Sequence, residues 1–353
     1  MVRASRQLGR LLLIDGKAGT MSVSRKSAKK SLFAALGGVA LFPALSMAVE
    51  TVTPDALSLT PSAQKASDAG NSKQASTPNG EPVYLAAASE APNIHGFASI
   101  SFGTSYITPR GLVVQNSGVV IQPVFGLVIP IGDVGFLKNL TAVGGVWNSI
   151  NTAENDERVG SWDEMDFFFS LSADIAPQLS ATLTYGAWSF PQSTLGKPET
   201  EHNIDLKIAY ADKWFGPDFS LNPYVDFFWE VEGSSTVVLG KSAETGYIEV
   251  GIVPTIKVKA IEGYPITLTF PTYVSFGGSE YWGGDNNFGV LSTAVNASVP
   301  LTFIPAKYGN WHLDAGVQYY NFLNGTLLDA GTALSGSTDR NMFRGYVGMG
   351  FSF

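Results

Sequence analysis

The chain has 353 residues, of which 45% are hydrophobic and only 15% are charged, and it contains no cysteine. Residues 1–48 carry eight Lys and Arg against one Asp, whereas residues 49–353 carry 14 Lys and Arg against 29 Asp and Glu. The lack of cysteine excludes disulfides, thiol catalysis and cysteine-bound metals, and the acidic remainder argues against nucleic acid as a partner. Few charges together with 38 Gly and 12% aromatic residues are typical of a membrane barrel with aromatic girdles.

The first 48 residues are expected to be an N-terminal extension followed by a secretory signal peptide, with translation starting at Met21. Basic residues from Arg25 to Lys30 precede an apolar stretch at 32–45, and small residues end the segment at Ala48. This order of basic, apolar and small residues predicts cleavage after Ala48. The apolar stretch is shorter than the roughly 20 residues that a membrane-spanning helix needs, so we do not expect an anchor.

Residues 49–93 are rich in Ala, Ser, Thr, Pro and Gln, and the stretch from Ala56 to Pro82 shows no sustained hydrophobic period. Such a segment cannot bury enough apolar surface to offset the entropy lost on ordering, so we predict a disordered periplasmic leader. Two interpretations stay open. The segment is either a flexible spacer or a tether that contacts peptidoglycan or a periplasmic partner.

From Ile94 onward the chain alternates between apolar and small or polar residues. A period of two predicts β-strands with one apolar face. Twelve such segments can be placed, at 94–106, 118–130, 139–150, 164–175, 179–190, 202–211, 220–232, 246–259, 265–276, 288–303, 311–323 and 342–353. The side assignment of the third, Gly-rich segment is ambiguous. We therefore predict an all-β fold over residues 94–353, a transmembrane antiparallel up-and-down barrel of about 12 strands.

The connections between these segments alternate in length. Odd-numbered connections such as 107–117 and 324–341 are mostly longer than even-numbered ones such as 176–178. Membrane barrels have short periplasmic turns and longer external loops, and an even strand count puts both barrel ends on the periplasmic side. No apolar run after residue 48 is long enough for a transmembrane helix.

A soluble β-sandwich would also alternate, so the content of the two faces decides between the classes. The polar faces are rich in Gly, Ser and Thr rather than in Lys and Glu, which favours a barrel lumen over a solvated surface. Aromatic residues also cluster near the predicted strand ends, where rings are expected at the membrane interfaces. These residues are Tyr106, Trp214, Phe215, Tyr264, Tyr281, Trp282, Tyr308, Trp311 and Phe353.

The last predicted strand, Met342 to Phe353, has one apolar face and one face of small or polar residues, and it ends on Phe353 after Phe351. It resembles the closing strand of Gram-negative outer-membrane β-barrel proteins, whose chains finish on a Phe preceded by alternating aromatic or apolar residues. The resemblance implies location in the cell outer membrane, contact with its lipid, and recognition by the barrel-assembly machinery through Tyr346, Phe351 and Phe353. In architecture the chain is similar to porins and substrate-specific channels, but it matches no particular channel family.

Charged residues within the strands are expected to face the lumen, because Lys or Arg facing lipid would cost about 2–4 kcal/mol at mid-depth. The candidates for solute selection are Asp166, Asp205, Lys207, Asp226, Glu230, Glu249, Lys257, Asp314 and Arg344. Of these, Asp226, Glu230 and Glu249 are expected to form a negative patch that favours cations or neutral polar solutes.

Two interpretations of this lumen stay open. It is either a water-filled passage for passive diffusion of small polar solutes or cations, or an ion-paired, plugged interior. A plugged interior would favour a structural anchor or assembly platform. Inward aromatics either stack on sugars or fill space, namely Phe168, Tyr224, Phe228, Tyr247, Tyr273, Tyr320 and Tyr346. Homo-oligomerisation also stays open.

The chain is not expected to be an enzyme. The twelve-stranded outer-membrane phospholipase family carries His-x-Ser-Asn-Gly on a strand, in which the His activates the Ser. His95, His202 and His312 are followed by Gly-Phe, Asn-Ile and Leu-Asp, so none fits that pattern. No metal site and no cofactor are predicted, and Asn324-Gly325 is expected to be a turn. A barrel-type enzyme is the least favoured alternative.

Overall fold

The structure, a computed structural model, describes residues 94–153, 161–189, 191, 200–232, 245–261, 264–277, 281–282 and 287–353. The predicted signal peptide and leader lie outside these residues. The strands, in chain order, are β1 His95–Gly103, β2 Tyr106–Ile107, β3 Val113–Gln115, β4 Val120–Val134, β5 Leu137–Asn151, β6 Trp162–Ala176, β7 Leu179–Ser189, β8 Glu201–Tyr210, β9 Phe219–Ser220, β10 Pro223–Glu232, β11 Thr245–Ile252, β12 Thr255–Ile261, β13 Tyr264–Thr269, β14 Thr272–Gly277, β15 Phe288–Pro300, β16 Asn310–Phe322 and β17 Asn341–Ser352. Within the described residues there is one α-helix, α1, at Gly325–Ser335, and one 3-10 turn at Ala306–Tyr308.

Fifteen of these strands form one closed antiparallel sheet. β1 pairs with β4 on one side and with β17 on the other, so the first and last strands of the barrel are neighbours. The wall contains twelve strands, because β9 with β10, β11 with β12, and β13 with β14 are the two halves of single wall strands. The prediction of a twelve-stranded up-and-down barrel is confirmed. Short turns and both barrel termini lie at one end, the turn end, and the long connections lie at the other, the loop end.

Two of the predicted strands, 246–259 and 265–276, are broken in the middle. Each break holds a proline, Pro254 or Pro271, and proline has no N–H to donate to a neighbouring strand. Their carbonyls are still used, since Pro254 accepts from Phe270 N at 2.8 Å and Pro271 accepts from Ala294 N at 2.9 Å. The wall therefore bends at the prolines without losing its continuity.

The bend continues into the neighbouring strand at Asn222, between β9 and β10. Asn222 has φ of 47°, and its side-chain amide donates to the Val253 carbonyl at 3.1 Å. The Asp212 carboxylate accepts from the backbone N–H groups of Leu221 and Asn222, at 2.7 and 2.6 Å. Asn tolerates this left-handed backbone better than most residues, and its side chain fixes the bend locally.

The two faces of the wall differ as the alternation predicts. On β6, Phe167 and Phe169 are each 49% exposed on the outside, whereas Asp166 and Phe168 are buried on the inside. The ambiguous third segment is resolved as β5, whose inward residues at the loop end include Trp147. No helix in the described part of the chain is long and apolar enough to cross a membrane.

Several inward aromatic rings lie over glycines of the adjacent strand. The directly paired residues are Phe97 with Gly126, Phe168 with Gly145, Tyr224 with Gly251, and Tyr346 with Gly316. A Cβ added at any of these glycines would collide with the ring of its partner. The rings therefore lie along the wall instead of projecting across the lumen, a known way of stabilising glycine within a sheet.

Of the nine aromatic residues predicted near the strand ends, Trp311 is half-buried and the side chain of Tyr264 lies outside what the structure describes. Trp214, Phe215, Tyr308 and Phe353 are exposed at the turn end, as a membrane-interface position requires. The prediction is wrong for Tyr106, Tyr281 and Trp282, which are fully buried inside the barrel. These three lie between wall strands and their side chains are buried in the lumen, so their distance from a strand end in sequence gives no guide to their depth.

Candidate functional site in the barrel lumen

The connection between β1 and β4, residues 104–119, crosses the lumen and is named the plug. It bonds to strands on several sides of the wall. The Tyr106 hydroxyl donates to Glu164 on β6 at 2.7 Å, the Pro109 carbonyl accepts from Tyr273 on β14 at 3.1 Å, and the Ser105 carbonyl accepts from Arg344 on β17 at 3.1 Å. A segment held by walls so far apart in the sheet must lie between them.

The tip of the plug is a tight turn from Thr108 to Leu112. The Thr108 hydroxyl accepts from Leu112 N at 3.0 Å, and the Thr108 carbonyl accepts from Gly111 N at 2.8 Å. Gly111 has φ of 91°, a conformation that glycine adopts without steric cost. The turn directs the side chain of Arg110 towards the facing wall, and the Arg110 carbonyl accepts a hydrogen bond from Trp282 Nε1 at 3.4 Å.

Helix α1, in the connection between β16 and β17, packs against the plug. Its N-cap is Asn324, whose side chain accepts from Leu327 N at 3.1 Å, so the turn expected at Asn324-Gly325 is instead the start of a helix. Gly331 on the helix lies against Val113 of β3. The plug and α1 together fill the loop end of the lumen.

The turn end differs in accessibility. Inward residues there, such as Ser298 and Asp314, are half-buried, and Lys257 is exposed. By contrast, inward residues at the loop end, such as Trp147, Glu201 and Glu230, are nearly inaccessible to solvent. The described lumen is thus open towards the turn end and blocked at the loop end by the plug.

Arg110, at the tip of the plug, lies among aromatic rings. Its guanidinium carbon is 4.2 Å from the centroid of Trp188 and 4.0 Å from that of Phe228. The two rings lie within 15° of parallel, with centroids 5.7 Å apart, so one guanidinium covers both faces. Tyr247 and Tyr281 continue the group, with Phe228 to Tyr247 and Tyr247 to Tyr281 each at 5.1 Å.

With Trp282, whose ring is 4.8 Å from that of Tyr281, these rings form the aromatic cage. Its members are Trp188, Phe228, Tyr247, Tyr281 and Trp282, all 5% exposed or less. Burial alone would lower the pKa of Arg110, but Tyr281, Tyr247 and the carboxylates of Glu230 and Glu201 raise it, so the guanidinium stays charged. A planar cation on aromatic faces is a favourable arrangement in a site that is buried from solvent.

The loop end of the lumen is strongly acidic. Five buried carboxyl groups lie there, on Asp163, Glu164, Asp166, Glu201 and Glu230, against two buried guanidinium groups, on Arg110 and Arg344. Burial, with the nearby carboxylates of Glu164 and Asp166, raises the pKa of the Tyr106 phenol well above its usual range. The phenol is therefore neutral and acts as a hydrogen-bond donor.

The structure brings four of the predicted selectivity residues together in mid-barrel. Asp226 is paired directly with Lys207 on one side and with Glu249 on the other. The Lys207 ammonium lies 4.1 Å from the centroid of Tyr224, whose hydroxyl donates to Glu249 at 2.5 Å. Asp205 is the next inward residue of β8. The row is therefore mixed in charge, and Lys207 offsets part of the negative patch expected from Asp226 and Glu249.

The other predicted selectivity residues are spread along the lumen. Glu230 and Asp166 interact electrostatically with Arg110, and Arg344 is buried against the plug. Asp314 and Lys257 lie towards the turn end, where the Asp314 carboxylate is 3.2 Å from His312 Nε2. A role of these residues in selecting solutes stays a prediction.

The inward aromatics predicted from the alternation are mostly buried. Tyr320 is fully buried, and Phe168, Tyr224, Phe228, Tyr247 and Tyr273 are 8% exposed or less, which is the behaviour of rings that fill space. Within the described residues no group of three or more His, Asp and Glu side chains is arranged to hold a metal ion. That the chain is not an enzyme stays a prediction.

Several site residues were not predicted. Trp188 and Trp147 follow the inward alternation of their strands, so the period of two could have identified them. Arg110 carries no such signal, because it lies in a connection and its partners are about 80 to 170 positions away. The apolar run Gly111-Leu112-Val113-Val114 inside a supposed external loop was the available hint that this loop is buried.

No protein-family model and no curated protein sequence matches the chain. Similar solved structures include the COG4313 outer membrane channel from Pseudomonas putida F1, with 12% identity over 74% of this chain and 96% of that one, at a TM-score of 0.42. The translocator domain of autotransporter NalP from Neisseria meningitidis has 15% identity over 75% of this chain and 90% of that one, at a TM-score of 0.36. Salmonella typhi OmpF in complex with daunomycin has 9% identity over 74% of this chain and 97% of that one, at a TM-score of 0.32.

Proposed function

We propose that this protein is a gated channel of the cell outer membrane, through which small cations or neutral polar solutes diffuse when the plug moves. The observation that carries the proposal is the excess of inward carboxylates in a lumen whose loop end, among the described residues, is filled by the plug, helix α1 and the side chains of Tyr281 and Trp282. A cleft lined by one sign of charge with low-dielectric walls concentrates solutes of the opposite sign. The turn end faces the periplasm and the plugged end faces outward.

Single-channel conductance in a planar bilayer tests this proposal. The native barrel is expected to show rare, brief openings, and a variant in which a short Gly-Ser linker replaces residues 105–117 is expected to show frequent, larger steps. In a salt gradient the reversal potential should show cation preference. Asp226→Asn, Glu230→Gln and Glu249→Gln together should weaken that preference.

Folding is checked separately, by circular dichroism and by the mobility of the unheated barrel on a gel. A folded plug-deleted barrel that conducts nothing, or one that prefers anions, would overturn the channel proposal. Because the wall pairs strand to strand without the plug, the deletion is expected to leave the barrel closed.

A second candidate is a closed barrel that acts as a structural anchor or assembly platform. The close packing of the plug favours it, since Arg110, Leu112 and Gln115 are all fully buried. The plug-deleted variant separates the two candidates. An anchor would keep its cellular role when opened, whereas a gated channel would lose control of permeability.

A further inference from the structure

The aromatic cage holds a cation that belongs to the chain itself. Arg110 is 0% exposed, and its guanidinium makes no hydrogen bond to a carboxylate among the described residues. It is held by the faces of Trp188 and Phe228 and by the longer-range field of Glu201 and Glu230. Burying a guanidinium whose donors are not paired with carboxylates costs free energy of desolvation. Arg110 therefore binds the aromatic cage less strongly than a cation without this penalty would.

We infer that the aromatic cage is a binding site for organic cations with a guanidinium or quaternary ammonium group, in which Arg110 is the resident, displaceable ligand. The inference deepens the proposed function by naming the class of solute. Because Arg110 is at the tip of the plug, a solute that takes its place also removes one of the contacts that hold the plug in the lumen. Binding of the solute and seating of the plug are then linked by competition for one site.

The chemistry of the cage favours organic cations over other ligands. Aromatic faces attract large, weakly hydrated cations, whereas metal ions need converging oxygen or nitrogen ligands, for which the described residues offer no group. A neutral sugar could also stack on the rings. The acidic surroundings and the guanidinium already seated there favour a cation.

The side-chain amide of Asn203 is a further polar group near the aromatic cage. Asn203 is fully buried, and neither its amide oxygen nor its amide nitrogen has a hydrogen-bond partner among the described residues. A Cβ added at Gly186 would contact both the Asn203 amide and the Trp188 indole nitrogen, so these side chains meet at the cage. Buried polar groups are normally paired, so an unpaired amide here suits a solute with a polar substituent beyond its cationic head.

The test is calorimetric titration of the folded chain, residues 49–353 in detergent micelles, with methylguanidinium and with methylurea as its neutral isostere. Arg110→Ala vacates the cage, so it is expected to bind methylguanidinium about tenfold more tightly than the native chain, which must first displace its own ligand. Neither protein should bind methylurea. Equal affinity of Arg110→Ala for the two compounds, or no binding of either, would overturn the inference.

A second measurement on the native chain covers the case in which Arg110→Ala does not fold. Methylguanidinium, but not methylurea, should accelerate hydrogen exchange of the plug amides at 104–115. Absence of that difference at concentrations that saturate any binding contradicts the proposed competition.

Variants of the cage complete the test. In the Arg110→Ala background, Trp188→Leu or the pair Glu201→Gln and Glu230→Gln should weaken binding of methylguanidinium about tenfold or more. Asp133→Asn is the matched control, because that carboxylate lies exposed at the turn end with Lys138 and should leave binding unchanged. Cation-selective conductance without binding of methylguanidinium would overturn this inference but leave the channel proposal standing. Binding of methylguanidinium without conductance of the plug-deleted barrel would overturn the channel proposal but leave this inference standing.

Discussion

Arg344 on the closing strand donates from Nε to the carbonyl of Ser105, at 3.1 Å, and so ties the plug to the barrel wall. The same guanidinium donates from Nη2 to Gln122 on β4 at 2.7 Å. β17 and β4 are the two neighbours of β1, so one side chain spans the strand from which the plug emerges. The bond fixes where the plug enters the lumen.

Replacement of this arginine should loosen the plug. Arg344→Met keeps a long side chain but removes both hydrogen bonds, and bonds from charged groups contribute about 1.5–3 kcal/mol each. We expect faster hydrogen exchange at residues 104–107 and more frequent openings in a bilayer. Arg340→Met is the control, because Arg340 donates to the Phe322 carbonyl and not to the plug. Equal exchange rates in the two variants would contradict the assignment.

Tyr106→Phe should destabilise the plug near neutral pH, because it leaves the buried Glu164 without its 2.7 Å donor. The expected loss is about 1–3 kcal/mol of unfolding free energy. The pKa of Tyr106 is raised in the folded chain, so its stabilising effect is present below the unfolded value of 10.0 and declines as the pH rises above it. The gap between native and variant in urea unfolding should therefore be smaller at pH 11 than at pH 8. A gap that grows with pH would show that the phenol ionises in the folded chain.

The pairing of rings with glycines can be tested at two adjacent positions. An alanine at Gly145 would meet the ring of Phe168 and, at 2.6 Å, the carbonyl oxygen of Phe125, and the backbone cannot move away easily. Gly145→Ala should therefore destabilise the barrel by about 1–3 kcal/mol. Gly144→Ala is the matched control, since its nearest atoms are 3.9 Å away. Urea midpoints that fall equally for both variants would argue against the ring as the cause.

The mixed row in mid-barrel predicts opposite effects of two substitutions on ion selectivity. In the plug-deleted barrel, Lys207→Met should increase cation preference, because it leaves Asp226 and Glu249 without their neighbouring positive charge. Glu249→Gln should decrease it. Reversal potentials in a salt gradient measure both effects, and a shift in the same direction for both variants would exclude control of selectivity by this row.

The sequence predicts the wall of this barrel well, and the lumen poorly, for a physical reason. A wall strand such as β6 alternates because its outer face is apolar and exposed whereas its inner face is buried and partly polar, so each residue of the strand reports which side it faces. The proline breaks at Pro254 and Pro271 could also have been recognised, since proline is disfavoured inside a sheet. The contacts of Arg110 could not, because they join segments far apart in the chain. The sequence does not predict the helix at Gly325–Ser335, because Asn-Gly is a strong signal for a turn and Asn is an equally common N-cap of a helix.

The plug belongs to the connection that follows the first strand, and that strand finds its second neighbour only when β17 arrives. Ser105 likewise gains its Arg344 partner only at that moment. Closure of the barrel by β17 and attachment of the plug to that strand are therefore expected to occur together during folding. A barrel caught before its seam forms would lack both the pairing of its edge strands and the bond that ties the plug to the closing strand.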